Sequence, residues 1–158
     1  MTVQSVTPFL WFDRNADEAV KLYVSLFEDS SITHVAHYGE NAPAPKGSVM
    51  LVGFELMGRP FRALNGGPHY KLDEAFSLQV DCTGQADIDR LWDALGEGGS
   101  HNVCGWLKDR FGLSWQINYA GLPGLMTGDA GRAQRVMAAM MQMKKVDIAQ
   151  LEAAAAGA

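Results

Sequence analysis

Apolar and polar positions fall into two similar blocks and a tail. Residues 7–12 form a short apolar and aromatic run that reads as a strand. Asn15 and Glu18 then have the spacing of an N-cap and its reciprocal partner. Ala16, Ala19, Val20, Tyr23, Leu26 and Phe27 follow at helical intervals. Residues 32–38 are rich in strand formers, residues 39–47 hold two prolines and two glycines and form a loop, and residues 48–56 read as a strand. A tight turn at Met57-Gly58-Arg59 returns the chain through residues 60–64. After the turn-rich connector 65–73 the order begins again. Residues 76–82 are a strand, and Thr83 or a neighbour caps a helix carrying Ile88, Leu91, Trp92 and Leu95. Gly96, Gly98 and Gly99 end that helix, and strands at 104–108 and 114–119 flank a turn at Phe111-Gly112-Leu113.

The plan of strand, helix and strands ending in a hairpin thus occurs twice. FLWFD at 9–13 echoes SLQVD at 77–81, and GRPFRAL at 58–64 echoes GLSWQIN at 112–118. Duplicated modules in one α+β domain account for both. The first spans about 5–67 and the second about 74–121, with a helical tail at about 129–155 of the single domain 1–158. In the tail, Ala133, Val136, Met137, Met140 and Met141 make one helical stripe. That stripe is either core, a subunit contact or an adaptable binding surface. Val146, Asp147, Gln150 and Leu151 have the spacing of a hydrophobic staple around a capping box, so a second short helix begins at Asp147.

Composition narrows the function. The chain has 158 residues, 13 Lys plus Arg against 18 Asp plus Glu, and a net charge of −5. An acidic chain without a basic block is a poor nucleic-acid binder. No stretch reaches the ~20 apolar residues of a membrane span, and the polar start lacks the pattern of a secretory signal. Cys82 and Cys104 make no disulfide framework. A cytoplasmic protein with both thiols reduced is expected.

Four segments carry a family resemblance: TPFLWFDRNADEAVKLYVSLF at 7–27, ALNGGPHY at 63–70, CGWLKDRFGLSWQI at 104–117 and RAQRVMAAMMQMKKVDIAQLE at 132–152. With the repeat, they resemble the vicinal oxygen chelate superfamily, which has the glyoxalase/bleomycin resistance fold. Within it the chain is similar to the PhnB-like group, many of whose members carry the label 3-demethylubiquinone-9 3-methyltransferase. The resemblance implies two βαβββ modules with a C-terminal helical extension, a curved sheet around a cavity, and a homodimer.

Metal-dependent members of the superfamily hold their ion at the start of each module's first strand and on each module's last strand. By repeat register those positions here are Thr7, Ala75, Arg62 and Gln116. Alanine offers no lone pair, arginine repels a cation and glutamine offers only a neutral carbonyl. No metal of that type and no cofactor is therefore expected. His34 and His37 point to opposite sides of the expected strand. A methyl donor is commonly held by a glycine-rich turn between a strand and a helix. Gly66-Gly67 leads instead into a loop and Gly98-Gly99 closes a helix.

The expected function is metal-independent binding of a small anionic or planar molecule. Arg62 and Gln116 are its polar anchors, since a guanidinium fork matches a carboxylate or phosphate. Trp11, Trp106 and Trp115, with Phe61, are candidate aromatic walls, and plain core packing accounts for them equally. Asn65 opens the NGGPH turn, whose backbone amides either cradle a ligand or simply bend the chain between modules. The alternative is an enzyme of the same fold: the labelled methyltransferase, or a lyase or isomerase. Its candidate catalytic groups are His69, Cys104 with His101 three residues before it, and Asp109, which also suits a turn-fixing role. A third reading is a purely structural or partner-binding dimer.

Overall fold

The computed structural model describes residues 1–157. The chain divides into two compact units between Leu72 and Asp73. The first contains β1 (Phe9–Phe12), α1 (Ala16–Leu26), β2 (Ser31–His37), β3 (Val49–Leu56) and β4 (Arg59–Asn65). Its sheet has the order β1-β4-β3-β2, with β1 parallel to β4 and the other pairs antiparallel. Alternation along each strand separates two faces. Leu10, Phe12, Val52, Phe54, Phe61 and Ala63 are buried on one side with Ala16, Ala19, Val20 and Tyr23 of α1. Phe54 and Phe61 stack at 5.4 Å within this layer, so Phe61 belongs to the core. Each such large apolar side chain contributes about 1.5–3 kcal/mol by leaving water.

The second unit contains β5 (Ser77–Cys82), α2 (Gln85–Gly96), β6 (Ser100–His101), β7 (Trp106–Lys108), β8 (Ser114–Tyr119), α3 (Leu122–Met126), α4 (Ala130–Gln142) and α5 (Ile148–Ala156). Its sheet order, β5-β8-β7-β6, repeats the topology of the first, again with the outer pair β5–β8 parallel. Leu107, Trp115 and Ile117 are buried on the side that α2 covers with Ile88, Leu91, Trp92 and Leu95.

The tail is fixed to this second unit. Gln85 Nε2 donates to the Val146 carbonyl at 3.0 Å, and its Oε1 accepts from the Ile148 amide at 2.9 Å. Cys104 and Gly105 donate their amides to the carbonyls of Met143 and Lys144. Gly105 has φ 77, and a Cβ there would lie 2.4 Å from the Ile117 carbonyl oxygen, so only glycine fits. Asp147 caps α5 by accepting from the Gln150 amide, with Val146 and Leu151 both fully buried beside it. The methionine stripe divides: Val136 and Met140 are buried, whereas Met137 and Met141 are exposed.

Several local expectations change. Asn15 occupies the N-cap position of α1 without a side-chain cap bond, because Asn65 supplies that acceptor from β4. Gly84, the neighbour of Thr83, takes the N-cap position of α2, without a side-chain cap bond. The strand expected from residue 104 starts at Trp106, since Cys104 and Gly105 take φ 59 and 77 and turn the chain. The short β6 and α3 carry too few residues for a periodic signal. The first-strand echo is offset by two residues: Arg62 sits opposite Phe9, but Gln116 sits opposite Gln79. An even offset leaves every side chain on its own face.

Candidate functional site

In the first unit, the sheet face away from α1 carries one cross-strand row: Phe9, Arg62, Gly53 and His34. Two irregularities in β2 set its outer end. One lies between Ile32 and His34 and the other between Ala36 and His37. They pair His34 with Gly53 and His37 with Val49, which are four residues apart on β3. The two histidines therefore share a face, correcting the expected opposition. The His34 ring lies across Gly53, where a Cβ would meet it at 2.2 Å.

A cleft of about 280 Å³ opens on this face, lined among others by Thr7, Thr33, His34, Glu55 and Arg62. Arg62 is exposed and Glu55 half-buried. Among the described residues neither makes an ion pair. Trp11 lies on the same side of the sheet, half-buried beneath the NGGPHY turn. Its Nε1 donates to the Gly67 carbonyl at 2.9 Å and its ring meets Tyr70 edge-on at 5.0 Å. A Cβ on Gly66 would sit 2.3 Å from the indole, so the glycine lets the turn settle on the ring.

Asn65 lies on the other face, 8% exposed. Its Oδ1 accepts from the Ala16 amide at 2.8 Å, its Nδ2 donates to the Val49 carbonyl at 3.1 Å, and its carbonyl accepts from Tyr38 Oη at 2.6 Å. The side chain is thus engaged in joining three segments of the scaffold rather than offered to a ligand. A second cleft, of about 500 Å³, lies by this junction and is lined by Asp13, Asp17, Pro45, Gly67 and the exposed His69 among others.

In the second unit, Gln116 faces away from α2 between Gln79 and Trp106. Its Nε2 donates to Ser77 Oγ at 2.9 Å. Trp106 is half-buried on that same face. Trp115 points the opposite way, as its neighbour in a strand must, and at 1% exposure it is core rather than a ligand wall. Its Nε1 donates to Asp109 Oδ2 at 2.9 Å, while Asp109 Oδ1 accepts from the amides of Phe111 and Leu113. Asp109, 3% exposed, is therefore the clasp of the β7–β8 hairpin.

Cys104 does not meet His101. Its thiol points at the Met140 carbonyl, 3.6 Å away, whereas the His101 ring packs on Trp92 at 4.5 Å. Cys82 is buried, and desolvation pushes its thiol up to about 11. Of the three catalytic candidates, His69 lines an open cleft.

The residues at the expected metal positions do not fit one in either unit, and the two-residue offset of the first strands makes Ser77, a weak oxygen donor, rather than Ala75 the counterpart of Thr7. Thr7 is a weak ligand, Ala75 has no donor, Arg62 brings a positive charge and Gln116 brings a neutral amide. Among the described residues no three His, Cys, Asp or Glu side chains gather as a metal site requires. A methyl donor fares similarly: the β1–α1 link is Asp13-Arg14-Asn15 and the β5–α2 link is Thr83-Gly84, neither a glycine-rich phosphate or nucleoside turn. No helix among the described residues is long and apolar enough to cross a membrane.

The family model described as 3-demethylubiquinone-9 3-methyltransferase matches residues 4–118. The PhnB protein from Bacillus cereus is 32% identical, with a TM-score of 0.69 over 74% of this chain and 100% of that one. A protein from Pseudomonas aeruginosa shares the fold at 24% identity and a TM-score of 0.61, over 74% of this chain and 98% of that one. A glyoxylase/bleomycin resistance protein/dioxygenase domain from Frankia sp. EAN1pec overlaps more loosely, at 16% identity and a TM-score of 0.43 over 76% of this chain and 96% of that one. No curated protein matches the chain.

Proposed function

The chain belongs to the 3-demethylubiquinone-9 3-methyltransferase family, the PhnB-like group with the glyoxalase/bleomycin resistance fold, and on that premise we propose that it binds a small anionic molecule without a metal, as a cytoplasmic homodimer. The observation that carries this reading is Arg62: an exposed guanidinium in a cleft, free of any carboxylate partner among the described residues. A planar fork with five N–H donors is suited to a carboxylate or phosphate. Phe9, exposed on the next strand of the same row, offers an apolar surface to a planar body attached to that anion. The weak or absent donors at Thr7, Ala75 and Ser77, with the cationic Arg62 and the neutral Gln116, support metal independence. Nothing in the strand–helix links favours methyl transfer over binding.

Native mass spectrometry of the protein as purified from cells tests this. The expected spectrum is a dimer retaining an organic mass that a chelator does not displace and that Arg62→Gln loses. One metal per chain, or the same mass retained on the variant, would overturn the reading.

A further inference from the structure

The cleft that holds Arg62 also holds Glu55, and the relation of the two charges defines a ligand class. Glu55 stands on β3 two residues beyond Gly53, the cross-strand partner of Arg62, and is paired with Pro60. Arg62 and Glu55 are therefore diagonal neighbours on one sheet face, roughly 7–8 Å apart at Cα by strand geometry. Long side chains can bridge that distance. Yet no ion pair within 4 Å joins them among the described residues. Both line the same cleft of about 280 Å³.

Two opposite charges held apart in one depression match a molecule that carries both. We propose that the ligand of this cleft is a small zwitterion, its carboxylate or other anionic group on Arg62 and its ammonium group on Glu55. The assignment rests on the anion-binding reading of Arg62 and adds the second charge to it. The surroundings suit the same ligand. Thr33 Oγ1 and the His34 ring, 3.4 Å apart, supply hydrogen-bonding groups at the rim. Gly53 carries no side chain, and the His34 ring and Thr33 Oγ1 lie over it between the two charged strands. A simple dianion would have to approach Glu55 unpaired. A simple ammonium would have to approach Arg62.

Nuclear magnetic resonance titration of the full-length protein with matched pairs tests the proposal: butyrate against γ-aminobutyrate, and pentanoate against 5-aminovalerate. The amino acid of at least one pair is expected to bind about tenfold more tightly than its parent carboxylate. Glu55→Gln is expected to abolish that ratio while leaving carboxylate affinity in place, and Arg62→Gln to weaken both members. Both positions are solvent-accessible, and the dispersion of the amide spectrum reports whether each variant is folded. Equal affinity within each pair would overturn the zwitterion assignment and leave the anion reading standing. No binding of any of the four would overturn both.

Discussion

Arg62 and Gln116 stand on equivalent rungs of two sheets with the same topology, and their surroundings differ at nearly every contact. Beside Arg62 the next strand places Gly53, with the His34 ring lying across it, and the cleft of about 280 Å³ opens on this face. Beside Gln116 the next strand places Trp106, a large ring where the first unit has no side chain. Arg62 has no ion-pair partner among the described residues, whereas the Gln116 amide is tied to Ser77 Oγ. The hairpins diverge too. The first turns through Met57 and Gly58, both at positive φ (50 and 73), the signature of a two-residue primed turn. The second uses Arg110-Phe111-Gly112, with Gly112 at φ 95 and Asp109 clasping the turn from below. At the place of buried Asp109 the first unit has buried Leu56, paired with Arg59. Duplication has kept the scaffold and separated its uses: one open face keeps a charged cleft, the other closes its polar groups on one another.

The comparison can be broken at its structural anchors. Asp109→Ala should produce the largest loss. It leaves the amides of Phe111 and Leu113 and the buried Trp115 indole N–H without this acceptor, for a cost of at least ~3 kcal/mol at ~1–3 kcal/mol per orphaned group. Urea unfolding measures this, and a loss below ~1 kcal/mol would show that the clasp is dispensable. Asn65→Ala should cost less, about 2–3 kcal/mol, since one helix cap and one carbonyl contact go. Its counterpart at the end of the second unit's last strand is Tyr119, whose hydroxyl makes an exposed 3.4 Å contact to Glu152. Tyr119→Phe should change stability by less than ~0.5 kcal/mol. Equal effects at the two positions would remove the distinction between them.

Much of the fold was legible in the chain because it depends on periodicity. The helices around Val20 and Leu91, the strand alternation, the hairpin echo and the staple at Val146 are all repeating apolar patterns with local caps. The pairing of Arg62 with Gln116 as equivalent positions came from the same echo. The site was less legible, because it depends on where individual side chains are drawn by partners far along the chain. Asn65 looks like a turn residue and is a helix cap, which requires knowing that β4 ends beside the start of α1. Trp115 reads as an aromatic wall until alternation is applied strictly next to Gln116. His34 reaches the cleft through a strand irregularity with no sequence signature of its own. The one available hint was Gly53 inside an otherwise apolar strand, since glycine there often marks close approach by another group. Glu55 carried no signal apart from being a charge on a strand of mostly apolar residues.

The most direct test of the central claim is a residue-resolved amide shift map during titration with butyrate. The account predicts that the shifts concentrate on Phe9, His34, Gly53 and Arg62 of the first unit, and that they vanish in Arg62→Gln. Shifts confined to Ser77, Trp106 and Gln116 of the second unit, unchanged by that variant, would contradict it.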